Sequence, residues 1–403
     1  MNNKHICLIA DGRSPTTIRW IQMLEKWGFK ISLVSTYPMN DDLNVDQTFI
    51  LPVAFSNAGK SQNTSANANP QKKLPLKKQL IQQFRPLVMQ VRYNLGPSTI
   101  SKFERIYKNI IADIKPDIVH ALRIPYEGML GKYTPSEIPF LVSIWGNDFT
   151  LHANANKKMA VQTREVMTRA DGVLADTIRD INLSLFWGLN QEKPTLVVPG
   201  GGGISFDEIN VAKNEKFFAP SDQPKGPIIV NPRGIRSYAQ TDVFFQALPM
   251  VLTRYPEAKI YCPAMEGKVE AIKWVNQLNL QKSVTLMPSI SQKMLWSLFH
   301  QSDISISLTS HDGTPNTLLE AMACGCLPIA GDIESLREWI TPGVNGLLVE
   351  LNKPQALADG IISVIQNSEF KRKAALINSI RIKDKAEINQ VHQRIFEFYQ
   401  RFL

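Results

Sequence analysis

The chain has 403 residues, and its hydrophobic content of 44% is enough for two hydrophobic cores of ordinary size. No run of eighteen apolar residues is present, which argues against a transmembrane helix, and the start lacks the apolar stretch of a secretory signal. The four cysteines show no CxxC spacing, which argues against disulfides and a structural zinc site. We therefore expect a soluble, cytosolic protein.

The net charge of +9 is concentrated in one segment, because residues 47–103 hold eight lysines and arginines and no acidic residue. Two interpretations are open: a solvated surface, or a surface that binds anionic lipid headgroups or another polyanion. Sparse aromatic residues disfavour nucleic acid as a partner. Within the segment, residues 56–70 predict a polar loop, and Leu74–Val91 predicts a basic amphipathic helix that breaks at Pro86.

The first half of the chain alternates predicted strands and helices, which is typical of a parallel sheet. The predicted elements are strand Lys4–Ile9, helix Thr16–Trp27, strand Lys30–Ser35, helix Ser101–Ile114, strand Ile118–His120, strand Phe140–Ile144, helix Met159–Arg169, strand Gly172–Ala175, helix Ile178–Leu185 and strand Thr195–Val198. The turn after the first strand lacks a GxGxxG motif, which gives dinucleotide binding little support. The glycine run 200–203 then predicts a hinge or a loop of close approach.

A second alternating series begins at Pro227. It consists of strand Pro227–Val230, helix Asp242–Arg254, strand Lys259–Cys262, helix Val269–Gln277, strand Val284–Leu286, helix Gln292–His300, strand Ile304–Leu308, helix Pro354–Gln366 and a last helix from Ala386 to Phe402. We predict two doubly wound α/β domains, residues 1–205 and 206–385, that face a central cleft. Residues 386–403 would form a helix that crosses back to the first domain.

One stretch of the second half, residues 311–350, predicts a ligand site. A turn from Asp312 passes into helix Thr317–Ala323, with Pro315 near the first turn and Asn316 or Thr317 as the capping residue. The unpaired N–H groups at such a helix start suit a phosphate. Because Asp312 and Glu320 would repel that phosphate, we expect them to bind hydroxyl groups. The combination indicates a ligand with phosphate and polyol parts, such as a nucleotide sugar.

These segments resemble the retaining GT-B glycosyltransferases of the group 1 (family 4) class. The resemblance rests on Arg233 after a strand, the strand Asp303–Leu308, the run Asp312–Ile329 and the turn Gly343–Val349. It covers most of the chain and is strongest over residues 227–350. The family implies two Rossmann-like α/β domains, with the nucleotide sugar bound mainly by the C-terminal one.

The resemblance also implies roles for residues of the second half. Arg233 would neutralise the leaving diphosphate and Asp312 would contact the donor sugar, so these two are the candidate catalytic residues. Glu320 would hold the ribose hydroxyls. The remaining candidate donor-binding residues are Gly313, Thr314, Pro315, Asn316 and Thr317 for the diphosphate, and Met287 and Ser289 for the base. The lysine that usually follows the family arginine is missing, and Arg236 either replaces it or is a surface arginine.

On the sugar and acceptor side, the candidate residues are Gly12, Arg13, His120 and Asp148. Trp145 stands where many relatives carry a histidine, so hydroxyl contacts would come from another residue such as Asp148. His120 matches a frequent histidine of the family, although a core histidine with satisfied ring nitrogens is the alternative.

The expected function is transfer of a sugar to a hydroxyl acceptor with retained anomeric configuration, without a metal ion or cofactor. The acceptor would be lipid-linked or anionic, and residues 47–103 would bring the protein to the inner face of a membrane. Two alternatives stay open: an enzyme like the nucleotide-sugar 2-epimerases, and a catalytically inactive GT-B subunit. The missing lysine, the aspartate at position 312 and Trp145 motivate the second alternative.

Overall fold

The structure is a computed structural model that describes residues 4–39, 43–56, 85–219 and 221–403. It divides into two compact units, residues 1–201 with 395–403, and residues 202–394. The division falls inside the glycine run, where Gly202 and Gly203 have φ angles of +86° and +97° that favour glycine. Within the described ranges, no helix is long and apolar enough to cross a membrane.

The first unit is built on a parallel sheet. In the described part of the chain its seven strands follow the order β3-β2-β1-β4-β5-β6-β7. They are β1 His5–Ala10, β2 Lys30–Ser35, β3 Gln47–Ile50, β4 Ile118–Ala121, β5 Phe140–Ile144, β6 Gly172–Ala175 and β7 Thr195–Val197. Every residue of β1, β4 and β5 is buried, as expected of a parallel sheet that is covered on both faces.

Helices cover this sheet and surround a core that includes Tyr107, Phe140 and Phe149. They are α1 Pro15–Lys26, α2 Arg85–Ile100, α3 Glu104–Ile114, α4 Met129–Gly131, α5 Lys157–Arg169 and α6 Ile178–Phe186. Two π-helical turns, Ile124–Gly128 and Asp148–His152, follow β4 and β5, and 3-10 turns lie at Ser101–Phe103 and Ala153–Ala155.

The second unit repeats the arrangement with a parallel sheet of six described strands in the order β10-β9-β8-β11-β12-β13. They are β8 Ile228–Val230, β9 Lys259–Cys262, β10 Val284–Leu286, β11 Ile304–Ser307, β12 Leu327–Gly331 and β13 Leu347–Val349. The helices are α7 Phe206–Lys213, α8 Thr241–Arg254, α9 Val269–Gln277, α10 Gln292–His300, α11 Asn316–Ala323, α12 Glu334–Arg337, α13 Pro354–Gln366 and α14 Ser368–Ala386. A last helix, α15 Ile388–Gln400, begins in this unit and ends in the first.

The basic segment is only partly described. Its lysines at positions 60, 72, 73, 77 and 78 and the predicted polar loop from residue 57 onward lie outside the described residues. The predicted end of the amphipathic helix at Val91 is wrong, because α2 continues through Pro97 to Ile100. The helix continues although Pro97 cannot donate a helical hydrogen bond, and its last residue, Ile100, is fully buried.

Candidate functional site

The predicted site residues of the second unit lie where the order of the strands in the sheet reverses. Strands β8 and β11 are parallel neighbours, and the chain continues outward from them in opposite directions across the sheet. Arg233 follows the carboxyl end of β8, and Asp312 follows the carboxyl end of β11. Such a reversal opens a crevice between neighbouring loops, where ligands of α/β proteins bind.

Helix α11 begins immediately after this loop. Pro315 is its N-cap residue and gives no side-chain hydrogen bond, so the predicted capping by Asn316 or Thr317 is wrong. The loop is fixed from other sides: Ser335 donates to the carbonyl of Asp312 at 2.8 Å, and the Trp339 indole donates to Thr314 Oγ1 at 2.9 Å. A helix start without a capping side chain carries partial positive charge that attracts an anion.

Arg233 and Asp312 form an ion pair between Nη2 and Oδ2. The same guanidinium lies 3.4 Å from Thr317 Oγ1, and its buried Nε–H has no acceptor among the described residues. Asp312 Oδ1 accepts a hydrogen bond from the backbone N–H of Gly313 at 3.1 Å. The cation, the acid and the start of α11 are therefore one connected group.

Glu320 lies one turn into α11 and is only 4% exposed. Its Oε1 accepts a hydrogen bond of 2.6 Å from Gln292 Nε2 at the start of α10. Sequence reasoning missed Gln292, because it lies 28 residues away in a separate helix. The contact holds the buried carboxylate in a fixed orientation.

The other candidate residues of this unit are nearer to the surface. Arg236 is exposed and donates to Tyr238 Oη at 2.9 Å and to the carbonyl of Arg233 at 3.3 Å. Met287 is half-buried and bonds through its backbone to Cys262 and Met265, whereas Ser289 is exposed. Among the described residues, no group of three or more His, Cys, Asp or Glu side chains could hold a metal ion.

In the first unit, Gly12 and Arg13 lie on the loop after β1. A Cβ on Gly12 would contact Met39 Sδ too closely, so a side chain at this position would displace the side chain of Met39. Arg13 pairs with both carboxylate oxygens of Asp11 at 2.9 Å and lies over the ring of Tyr37, 4.1 Å from its centroid. The local pair with Asp11 occupies much of the donor capacity of this arginine.

His120 lies on β4 inside the core. Its Nδ1 is 2.6 Å from Tyr399 Oη and its Nε2 is 2.9 Å from Ser143 Oγ, and the ring is fully buried. Both ring nitrogens therefore have protein partners, as in the core-histidine alternative. Burial lowers the pKa of His120 to about 3, because the charged imidazolium would lose its hydration.

This lowered pKa predicts a pH dependence of stability. An unfolded His120 takes up a proton near pH 6.5 and the folded residue does not, so acid favours unfolding down to about pH 3. Between pH 6.5 and pH 4.5 the free energy of unfolding should fall about 2 kcal/mol more in the parent protein than in His120→Gln. Urea unfolding of both proteins at several pH values checks this. Parallel pH profiles would contradict it.

Asp148, at the start of the π-turn after β5, is fully buried. Its Oδ1 accepts a hydrogen bond from Arg123 Nη2 at 2.7 Å, and its Oδ2 accepts from the backbone N–H groups of Ile124 and Trp145 at 3.0 and 3.2 Å. The carboxylate thus fastens the loops after β4 and β5 to each other. It positions Arg123 and Trp145 rather than facing solvent.

A cavity of about 140 Å³ lies at the carboxyl ends of the strands of the first sheet, next to the loops after β4 and β5. Its lining includes Asp11, Tyr37, Arg123 and Trp145, which follow β1, β2, β4 and β5, and residues of α2. This is again the place where the strand order reverses, here between β1 and β4. Sequence reasoning missed three charged lining residues, Arg92, Arg123 and Glu127.

Two family models match the chain. The model described as "Glycosyl transferases group 1" matches residues 212–381, which include Arg233, Asp312 and Glu320. The segment 212–381 therefore belongs to the group 1 glycosyltransferase family. A second model, "Glycosyl transferase 4-like", matches residues 88–177, which include Arg92, Arg123 and Glu127 of the cavity in the first unit.

Curated relatives match parts of the chain. It is 28% identical over 130 residues to the GDP-mannose:cellobiosyl-diphosphopolyprenol alpha-mannosyltransferase of Xanthomonas campestris, covering 31% of this chain and 34% of that protein. It is 26% identical over 163 residues to the phosphatidyl-myo-inositol mannosyltransferase of Mycobacterium tuberculosis, covering 38% and 42%. The matched segments span about a third to two fifths of the length of these relatives.

The fold of the chain is similar to that of Anabaena Alr3699/HepE, solved in complex with UDP and glucose. The TM-score is 0.69 at 14% sequence identity, and the similarity covers 98% of this chain and 99% of the other. This likeness confirms the predicted fold class, GT-B with two Rossmann-like parallel-sheet domains.

Proposed function

We propose that the protein transfers a hexosyl group from a nucleoside diphosphate sugar to a hydroxyl acceptor, with retention of anomeric configuration. The observation that carries this proposal is the group formed by Arg233, Asp312 and the uncapped start of α11, which follows the carboxyl ends of the neighbouring strands β8 and β11. It combines a cation and a helix terminus, which suit a diphosphate, with carboxylates that suit hydroxyl groups.

Each residue has a defined role in this proposal. Arg233 and the N–H groups at the start of α11 stabilise the negative charge that develops on the departing diphosphate, without a metal ion. Asp312 accepts a hydrogen bond from the donor sugar, and its ion pair with Arg233 sets its position. Glu320 accepts hydrogen bonds from the ribose hydroxyls, and Gln292 orients its carboxylate.

Retention follows when bond breaking and bond making take place on the same face of the sugar. The bond from the anomeric carbon to the diphosphate oxygen breaks, and a bond from that carbon to the acceptor oxygen forms. The acceptor proton passes to the departing phosphate oxygen, so no carboxylate nucleophile is required.

The names of the two relatives support a narrower proposal. Both are mannosyltransferases, and the names cellobiosyl-diphosphopolyprenol and phosphatidyl-myo-inositol each contain a lipid and a phosphate. We propose that this enzyme likewise acts on a lipid-linked acceptor in the synthesis of a cell-surface polysaccharide or glycolipid. The basic segment 47–103 would then bring the protein to the anionic inner face of a membrane.

The donor site is tested by Glu320→Gln, which removes the charge and keeps the shape. We expect UDP or GDP, whichever the parent protein binds, to bind roughly 10- to 100-fold more weakly, since hydrogen bonds to a charged acceptor are lost. Isothermal titration calorimetry measures the affinity, with the exposed Glu257→Gln in the same unit as the charge-matched control. Equal affinities of the two variants would contradict the assignment of Glu320.

The reaction itself is tested by NMR of the product. Incubation with the preferred donor and a hydroxyl acceptor should give a glycoside with the anomeric configuration of the donor. An inverted product, or strict dependence on Mn²⁺ or Mg²⁺, would overturn the mechanism. Donor converted to its 2-epimer without acceptor would favour the epimerase alternative, and tight nucleotide binding without turnover would favour an inactive subunit.

A further inference from the structure

We infer that the cavity of the first unit binds a sugar ring that carries an anionic group, a phosphate or a carboxylate. Its volume of about 140 Å³ is close to the roughly 150 Å³ of an engineered cavity that admits benzene, so one six-membered ring fits. Four aromatic residues, Tyr37, Tyr93, Tyr126 and Trp145, line the cavity and give it apolar walls that a pyranose ring can contact.

Two arginines give the cavity its preference for an anion. Arg92 lies over the rings of Tyr37 and Tyr126, 5.4 and 4.8 Å from their centroids, and Arg123 lies over Trp145 at 5.0 Å. The stacking holds both guanidinium groups in place. The Nε–H groups of both arginines are buried without an acceptor among the described residues. Buried donors without partners are costly, so an anion that satisfies these cations stabilises the site.

The ion pairs that the described residues form at the cavity engage Arg13 and Arg123 but not Arg92. Asp11 pairs with Arg13, and Asp148 pairs with Arg123. In the part of the chain that the structure describes, no carboxylate forms an ion pair with Arg92. Arg92 is therefore the cation best able to receive a phosphate or carboxylate oxygen.

Glu127 supplies the complementary contact for a hydroxyl group. It is 4% exposed and lines the cavity, and its Oε1 accepts a hydrogen bond of 2.9 Å from Thr36 Oγ1. Its Oε2 accepts no hydrogen bond from the described residues. Burial raises the pKa of Glu127, and the nearby Arg123 offsets this only in part. A sugar hydroxyl would satisfy the free oxygen, so the cavity recognises both parts of an anionic sugar.

That this ligand is the acceptor rests on the proposed function, whereas its binding does not. The acceptor would place its anionic sugar between Arg92, Arg123 and Glu127, which restricts the substrates to saccharides with a phosphate or a carboxylate on the ring. The cavity lies within the first unit alone, so its occupancy can be measured without a donor.

Calorimetric titration of the full chain with glucose 1-phosphate, glucuronate, methyl glucoside and inorganic phosphate tests the inference. We expect one or both anionic sugars to bind at least about tenfold more tightly than methyl glucoside and inorganic phosphate, because each of the latter makes only half of the contacts. The stronger of the two anionic sugars identifies phosphate or carboxylate as the group recognised. Equal binding of neutral and anionic sugars, or inorganic phosphate as the best ligand, would overturn the inference.

Three variants locate the binding. Arg92→Ala should weaken the binding of the anionic sugar at least about tenfold. Arg92→Lys keeps the charge but loses the forked pair of donors, so its affinity for the anionic sugar should lie between those of Arg92→Ala and the parent protein. Glu127→Gln should weaken the binding of the anionic sugar and leave that of inorganic phosphate unchanged. The exposed Arg105→Ala is the charge-matched control, and Arg92→Lys serves if Arg92→Ala does not fold. Unchanged affinity in Arg92→Lys and Glu127→Gln would refute the assignment.

The donor-site variant separates this inference from the proposed function. Glu320→Gln should weaken nucleotide binding and leave anionic sugar binding intact. If anionic sugars bind as described but no glycosyl transfer is found, the proposed function fails and the ligand site stands. If transfer proceeds to a neutral acceptor and anionic sugars do not bind, the site assignment fails and the function stands.

Discussion

Replacing Arg233 by alanine is expected to lower kcat/KM by about 10²- to 10³-fold, the usual effect of losing one preorganised donor to a developing negative charge. The loss has two causes. The departing diphosphate loses a cation, and Asp312 loses the partner that now holds its Oδ2, so its charge faces the phosphate uncompensated. Steady-state kinetics with the preferred donor measure the effect, and kcat should fall more than the affinity for the nucleotide.

Matched variants make this result specific. Arg254→Ala removes an exposed arginine from α8 of the same unit and should leave kcat/KM within about twofold. Because Arg233 and Asp312 act as a pair, the double variant should lose less activity than the product of the two single losses. Additive losses, or Arg233→Ala with more than about a third of the parent activity, would show that the pair does not act on the leaving group.

Arg236→Ala decides whether that residue replaces the missing family lysine. An exposed arginine that already bonds Tyr238 and the carbonyl of Arg233 has donors left for a phosphate, so a loss of about tenfold in kcat/KM is expected if it takes the lysine's role. If the kcat/KM of Arg236→Ala equals that of Arg254→Ala, Arg236 is a surface arginine and does not replace the lysine.

The candidate site of the second unit could be found from sequence because its residues lie in short loops after strands and in the helix that follows one of these loops. Asp312, Pro315 and Glu320 belong to one continuous stretch, and the alternation of strands and helices predicts that Arg233 follows a neighbouring strand. Strands β9 and β10 and helix α9 keep their predicted bounds, because their apolar patterns end at turn residues. Contacts between distant elements, such as Gln292 with Glu320, leave no local pattern in the sequence.

The cavity of the first unit could not be predicted for the same reason. Arg92, Arg123 and Glu127 come from α2, the loop after β4 and a π-turn, and each looks like an ordinary surface charge in the sequence.

Helix α14 lies outside the predicted elements because its apolar residues form no single stripe. Ile382 is buried on one side, whereas Leu376 and Ile380 are more than 60% exposed. The apolar residues therefore do not recur at helical spacing along the sequence. Packing against neighbouring elements stabilises this helix, and its own sequence does not predict it.

Asp148→Asn is expected to lower the free energy of unfolding of the first unit by about 3 kcal/mol, the scale for breaking a buried ion pair by removing one partner. The amide cannot balance the charge of Arg123. Its NH2 group replaces either the oxygen that accepts from Arg123 or the oxygen that accepts from the backbone N–H groups of Ile124 and Trp145. Urea unfolding followed by tryptophan fluorescence measures the change, with the exposed Asp113→Asn in the same unit as the control. Adding Arg123→Gln should recover part of the loss, because no unpaired charge then remains in the core. A loss below about 1 kcal/mol, or one that Arg123→Gln deepens, would show that the pair does not fasten the loops after β4 and β5.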